Sequence, residues 1–88
     1  MLDRPGISPN QRITEIVTVI LAKHAVHRPV LPEDDLREIG LTSLDMVNLM
    51  LTVEAEFELR IPESRMTPAN FKSVAAIETL VTDLLGDR

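Results

Sequence analysis

Apolar residues recur along this chain with a helical period, and no run alternates the way a half-buried strand does. Ile13, Ile16, Val17, Ile20 and Leu21 follow i, i+3, i+4, i+7, i+8 spacing, which gathers them on one stripe of an amphipathic helix. Just before the stripe stands Ser8-Pro9-Asn10-Gln11. This is a capping hydroxyl, a proline at the first helical position and a glutamine three residues after the cap, so the helix is predicted to begin there. Lys23, His24 and His27 follow the stripe, where cations suit the negative end of the helix dipole. Pro29 is expected to stop the helix.

A second helix is predicted from Ser43 to Phe57. At about 100° per residue, Asp45, Asn48, Thr52 and Glu56 share a polar arc, and Met46, Leu49, Met50, Val53 and Phe57 fill the opposite one. Leu44, Leu51 and Ala55 fall on the border. A helix apolar over more than half its circumference is central to a core, presents an apolar contact surface, or does both. A third helix is capped by Ser73, buries Val74, Ile77, Leu80, Val81 and Leu84, and ends at Gly86. Thr67-Pro68 repeats the cap-plus-proline pattern and predicts one short helical turn.

The connections differ in kind. Residues 28–42 show no period and are broken early by Pro29 and Pro32, with Leu36, Ile39 and Leu41 as the anchors that pin them to the core. A connection of about 15 residues in so short a chain is long enough to suggest a functional role. Glu58 to Pro62 reads as a short extended link. The fold class expected is all-α: an irregular four-helix bundle of three main helices and one short one. Residues 1–88 are expected to form a single domain, with 1–7 flexible.

Composition narrows the function. With 88 residues, such a domain is near the small end of what folds alone, and a buried catalytic cleft is a poor fit. The absence of cysteine excludes disulfides, thiolate metal sites and a thiol nucleophile. His24 and His27 have i, i+3 spacing but no carboxylate on the same helical face, so no metal site is expected. A net charge of −5, with Phe57 and Phe71 the sole aromatics, argues against nucleic acid. No apolar stretch is long enough to span a bilayer, and Met1 to Gly6 reads as neither a signal nor a transit peptide, so a cytoplasmic location is expected. The charge is uneven: residues 29–63 hold nine acidic side chains against two basic ones, which suits a face that meets basic partners.

The segment with candidate chemistry opens the second helix. Thr42-Ser43-Leu44-Asp45 fits a capping box with Thr42 as the cap, which puts the Ser43 hydroxyl in the first turn beside unpaired backbone N–H groups. A phosphate ester there would be favoured by those donors and by the dipole; spacing alone favours the plainer reading of a second capping hydroxyl, since Ser and Thr are common at helix starts. A catalytic serine would need a base in reach, and His24 and His27 close a different helix. Gly40-Leu41-Thr42-Ser43-Leu44 also lacks the second glycine of a nucleophile elbow. The chain is not expected to be an enzyme.

The run Asp35-Leu36-Arg37-Glu38-Ile39-Gly40-Leu41-Thr42-Ser43-Leu44-Asp45-Met46-Val47-Asn48-Leu49 resembles the modification site of the acyl carrier protein family. Glu54-Ala55-Glu56-Phe57, Ile61-Pro62 and Ser73-Val74-Ala75-Ala76-Ile77 fit the same family, in order, over most of the chain. The resemblance implies a four-helix carrier fold in which Ser43 receives 4′-phosphopantetheine from coenzyme A through a phosphodiester. The arm would hold an acyl or aminoacyl group as a thioester. The implied partners are a phosphopantetheinyl transferase, an acyl or aminoacyl ligase, and downstream acyltransferase or synthase enzymes. They would dock along Leu44, Asp45, Asn48, Leu51 and Ala55, and the chain would act as a monomer.

Three departures shape the expectation. Thr42 precedes the serine where the family usually has Asp, Asn48 and Ala55 stand where fatty-acid carriers often have Glu, and Arg65-Met66 replaces a commonly acidic stretch. These point to a specialised lipid or aminoacyl-transfer pathway with its own partners. The competing reading is an unmodified helical module that uses the same apolar edge to bind a partner.

Overall fold

The computed structural model describes residues 8–86. Three α-helices, α1 (Pro9–Lys23), α2 (Ser43–Phe57) and α3 (Val74–Gly86), are joined by loops and two short 3-10 turns, Glu63–Arg65 and Pro68–Phe71. No strand occurs among the described residues, so the all-α expectation holds. The Glu63–Arg65 turn is an addition that no capping pattern announced. The expectation of flexibility for residues 1–7 lies outside the described residues.

α1 starts where its capping box predicts. Ser8 Oγ accepts from the Gln11 amide at 3.2 Å, and the Ser8 amide donates to Gln11 Oε1 at 3.1 Å. Its end corrects the sequence reading. The helix stops at Lys23, well before Pro29, because Ala25 turns into the left-handed region with φ 61°. Val26 N–H then bonds to Leu21 O and Ala25 N–H to Ala22 O, the pair of bonds that defines a Schellman ending. α2 ends the same way: Glu58 has φ 52°, and Leu59 N–H reaches Glu54 O at 3.0 Å. Thr67 precedes the Pro68–Phe71 turn as expected, but its side chain makes no capping bond. Ser73 does cap α3, accepting from the Ala76 amide at 3.1 Å.

α1 packs on both α2 and α3, and α3 also packs on the Pro68–Phe71 turn. α1 and α2 run antiparallel, since Arg12 at the start of α1 meets Glu56 at the end of α2, while His24 just past α1 meets Asp45 at the start of α2. The core is wholly apolar among the described residues. Ile13, Val17, Leu49, Val53, Ile77 and Val81 are fully buried within it, as the helical stripes require. Each such side chain contributes about 1.5–3 kcal/mol relative to exposure. Phe71 is the largest fully buried side chain. Phe57 closes the far end beneath the Arg12 guanidinium, which lies 4.4 Å from its ring centroid.

The long connection is ordered by its own anchors. Leu36 and Leu41 are buried, and Ile39 is half-buried against the same core. Leu36 N–H donates to Lys72 O and Ala75 N–H to Pro32 O, which ties the connection to the start of α3. Asp35 Oδ1 accepts from the amides of Arg37 and Glu38, forming a short capped turn that leads towards α2.

Candidate functional site

Ser43 is the first residue of α2, with its side chain exposed. What puts it there is local. Leu41 is buried and its amide bonds to Leu36 O, while Gly40 makes the bend with φ 132°. Thr42 then caps the helix: its Oγ1 accepts from the Asp45 amide at 3.1 Å, and its own amide donates to Asp45 Oδ2 at 2.9 Å. The predicted capping box is therefore present in full. No acceptor among the described residues meets the Ser43 or Leu44 amide, so both are among the unpaired donors at the positive end of the dipole.

The structure also brings His24 to this end of α2, where the sequence reading left it remote. Antiparallel packing sets His24 Nε2 2.7 Å from Asp45 Oδ2. A carboxylate only accepts, so Nε2 carries the hydrogen and donates it. Asp45 is consequently the most committed group at the site, with a side chain only 14% exposed. The Thr42 amide holds its carboxyl below the ordinary range; partial burial opposes that, and the His24 bond adds to the lowering. The imidazole is thus engaged with Asp45. His27 is exposed, and no cluster of metal-ligating side chains occurs among the described residues.

Beside Ser43 opens a cleft of about 570 Å³. Met46, Val47 and Met50 of α2 form one wall, and Met66, Ala69 and Phe71 form the other. Asp35, Arg37 and Lys72 are also among its lining residues. On the outer face of α2, Leu44 is 70%, Val47 50% and Leu51 56% exposed. Leu44 and Leu51 are therefore surface residues and not peripheral core. Asn48 and Ala55 are exposed as well. Val47 was missing from the anticipated docking set; its i, i+3 relation to Leu44 and i, i+4 relation to Leu51 was the signal that places it on their stripe.

An exposed hydroxyl at a capped helix start, two free amides and an adjoining apolar cleft fit a phosphate-linked flexible group. Comparison with known proteins decides the family. Residues 11–81 match the family model described as phosphopantetheine attachment site. The chain belongs to the phosphopantetheine-binding carrier protein family. Its cofactor is phosphopantetheine, and its role is that of a carrier, not an enzyme.

Relatives within the family agree. The chain is 51% identical over 70 residues to aminoacyl carrier protein 1 of Bradyrhizobium diazoefficiens, a span of 80% of this chain and 78% of the relative. It is 44% identical over 81 residues to aminoacyl carrier protein 2 of the same organism, covering 92% and 91%. Among solved structures, a chain from Bradyrhizobium japonicum glycine:[carrier protein] ligase complexed with glycylated carrier protein superposes with a TM-score of 0.74 at 47% identity. That match covers 82% of this chain and 96% of the other. A second complex, with cognate carrier protein and an analogue of glycyl adenylate, gives a TM-score of 0.76 at 47% identity, covering 85% and 96%. No helix among the described residues is long and apolar enough to cross a membrane.

Proposed function

We propose that Ser43 is the attachment residue and that the chain, as one domain over residues 1–88, carries an amino acid delivered by an adenylating ligase. The observation that supports this most directly is the Ser43 hydroxyl itself: exposed, at the first position of a fully capped helix, inside the span matched by the attachment-site family. In the transfer, Ser43 Oγ forms a bond to the phosphorus of coenzyme A that bears the pantetheine, the pyrophosphate bond breaks, and the nucleotide leaves. The serine proton passes to a base of the phosphopantetheinyl transferase. Once bound, the group supplies a thiol that holds carboxyl groups as thioesters. This answers the absence of cysteine in the chain.

The contribution of the protein is positional. The Thr42–Asp45 capping box fixes the angle of α2, and free amides at its start favour the phosphodiester. Leu44, Val47 and Leu51 offer an apolar stripe on which partners dock, with Asn48 and Ala55 beside it. Asp45 serves that surface indirectly, through the cap. An aminoacyl cargo is favoured over a lipid acyl group because the relatives bear the name aminoacyl carrier proteins, and glycine is the first candidate because the solved neighbours come from glycine:[carrier protein] ligase complexes. The proposed setting is cytoplasmic and the working unit a monomer.

Incubation with a phosphopantetheinyl transferase and coenzyme A is expected to add one arm, read by intact mass, and Ser43→Ala to add none. Adding ATP, glycine and an adenylating ligase to the armed chain is expected to add one aminoacyl mass. An armed chain that instead accepts only fatty acyl groups would overturn the cargo; a chain that gains no arm would favour the unmodified interaction module.

A further inference from the structure

We propose that Arg37 and Lys72 act as a two-cation clamp on the phosphodiester at Ser43, folding the arm down along the apolar cleft. This rests on the Ser43 assignment above.

The two residues reach one place from distant parts of the chain. Leu36 N–H donates to Lys72 O at 2.9 Å, so the backbone beside Arg37 is joined to that of Lys72. Both residues line the same cleft as Ser43. Their charges are also uncommitted. The chain has 14 acidic against 9 basic side chains, and Arg12, Arg28 and Arg65 each contact a carboxylate. Among the described residues, no hydrogen bond or ion pair engages the Arg37 guanidinium or the Lys72 ammonium. The one carboxylate in the cleft lining, Asp35, already accepts from two backbone amides. The Lys23 and Arg60 side chains likewise make no hydrogen bond or ion pair among the described residues, but neither lines this cleft. Arg37 and Lys72 are the described cations that share its lining with Ser43, and they form a charge complement to a phosphate ester there.

The chemistry matches end to end. A phosphodiester carries one negative charge and two unesterified oxygens, which a guanidinium meets in a fork and an ammonium as a point charge. Past the phosphate, the geminal methyls and methylenes of the arm would meet Met46, Met50, Met66 and Phe71. Methionine adapts to an irregular occupant, and the cleft volume lies in the small-molecule range. Both cations are exposed, so each contact weighs about two- to fivefold on the ratio of folded-down to free arm.

The test compares amide resonances of the 15N-labelled chain before and after loading with 4′-phosphopantetheine, with loading verified by intact mass. Loading is expected to move Met50, Phe71 and Lys72 as well as the residues around Ser43. Those distant shifts should collapse towards the unloaded values in Arg37→Gln/Lys72→Gln, and also in the wild type at ~1 M salt, where charges beyond about 3 Å are screened. The salt arm needs no variant and so is independent of folding effects. Shifts confined to Thr42–Asp45 in the loaded wild type would overturn the clamp, as would distant shifts that survive both the double variant and high salt. A wild type that gains no mass would instead sink the Ser43 assignment on which the clamp depends.

Discussion

His24 Nε2 donates to Asp45 Oδ2 across 2.7 Å, and that bond joins the C-terminal end of α1 to the first turn of α2. Each partner suits its own helix: an N–H donor past the negative end of α1, an anion at the positive end of α2. Asp45 also closes the capping box with Thr42, so one carboxylate sets both the start of α2 and its seat against α1.

The linkage makes the start of α2 acid-sensitive. The folded-state pKa of Asp45 is lowered, chiefly by the Thr42 amide, so its stabilisation is complete above the ordinary carboxylate value of about 3.9 and is lost as pH falls through the folded value. Asp45→Asn is expected to be less stable than wild type near neutral pH, and the gap in urea midpoint should close in acid. A gap that stays constant through the acid range would show that the charge of Asp45 contributes nothing.

Phe71 and Leu51 should behave as opposites. Phe71→Ala removes the largest fully buried side chain and is expected to cost about 3–5 kcal/mol, enough to unfold most of a domain this small. Leu51→Ala removes an exposed side chain and should stay within about 0.5 kcal/mol. Urea denaturation of the two variants checks both.

Gly40 is confined in two ways. Its φ of +132° strains any side chain, and a Cβ there would come within 3.3 Å of Leu21 Cδ2. Gly40→Ala is expected to cost about 1–3 kcal/mol, measured by thermal or urea unfolding.

Glu58 offers the reverse case. It holds a left-handed conformation at the negative end of α2, where neither its Cβ nor its charge is favourable. Glu58→Gly should raise stability by roughly 1 kcal/mol, visible as a higher melting temperature with an unchanged helical spectrum.

The apolar stripe of α2 is a binding surface if its loss spares the fold. Leu51→Asp is expected to keep the circular dichroism of wild type while slowing aminoacyl loading of the armed chain by about tenfold, as loss of an interface anchor would. Equal loading rates would remove Leu51 from the docking surface.

The helices were legible because their signals are local. The Ser8 and Thr42 capping boxes, the Ser73 cap and the apolar stripes each lie within a few residues of what they specify, and α2 runs over the predicted Ser43–Phe57. Where a local signal was absent, the reading slipped. Pro29 was the visible stop for α1, whereas the helix ends earlier through Ala25, a residue type that does not advertise a left-handed turn. Phe71 could be assigned to a short turn, but its full burial depends on what surrounds that turn.

The sequence by itself determined that the chain is helical, that Ser43 opens α2 behind a capping threonine, and that the segment resembles a carrier modification site. Tertiary structure decided what lies around that serine. Antiparallel packing carried His24 to Asp45, the Leu36–Lys72 bond set Arg37 beside Lys72, and the Pro68–Phe71 turn supplied the second wall of the cleft. Period and capping depend on residues three or four apart, whereas a site depends on which distant segments the core holds together.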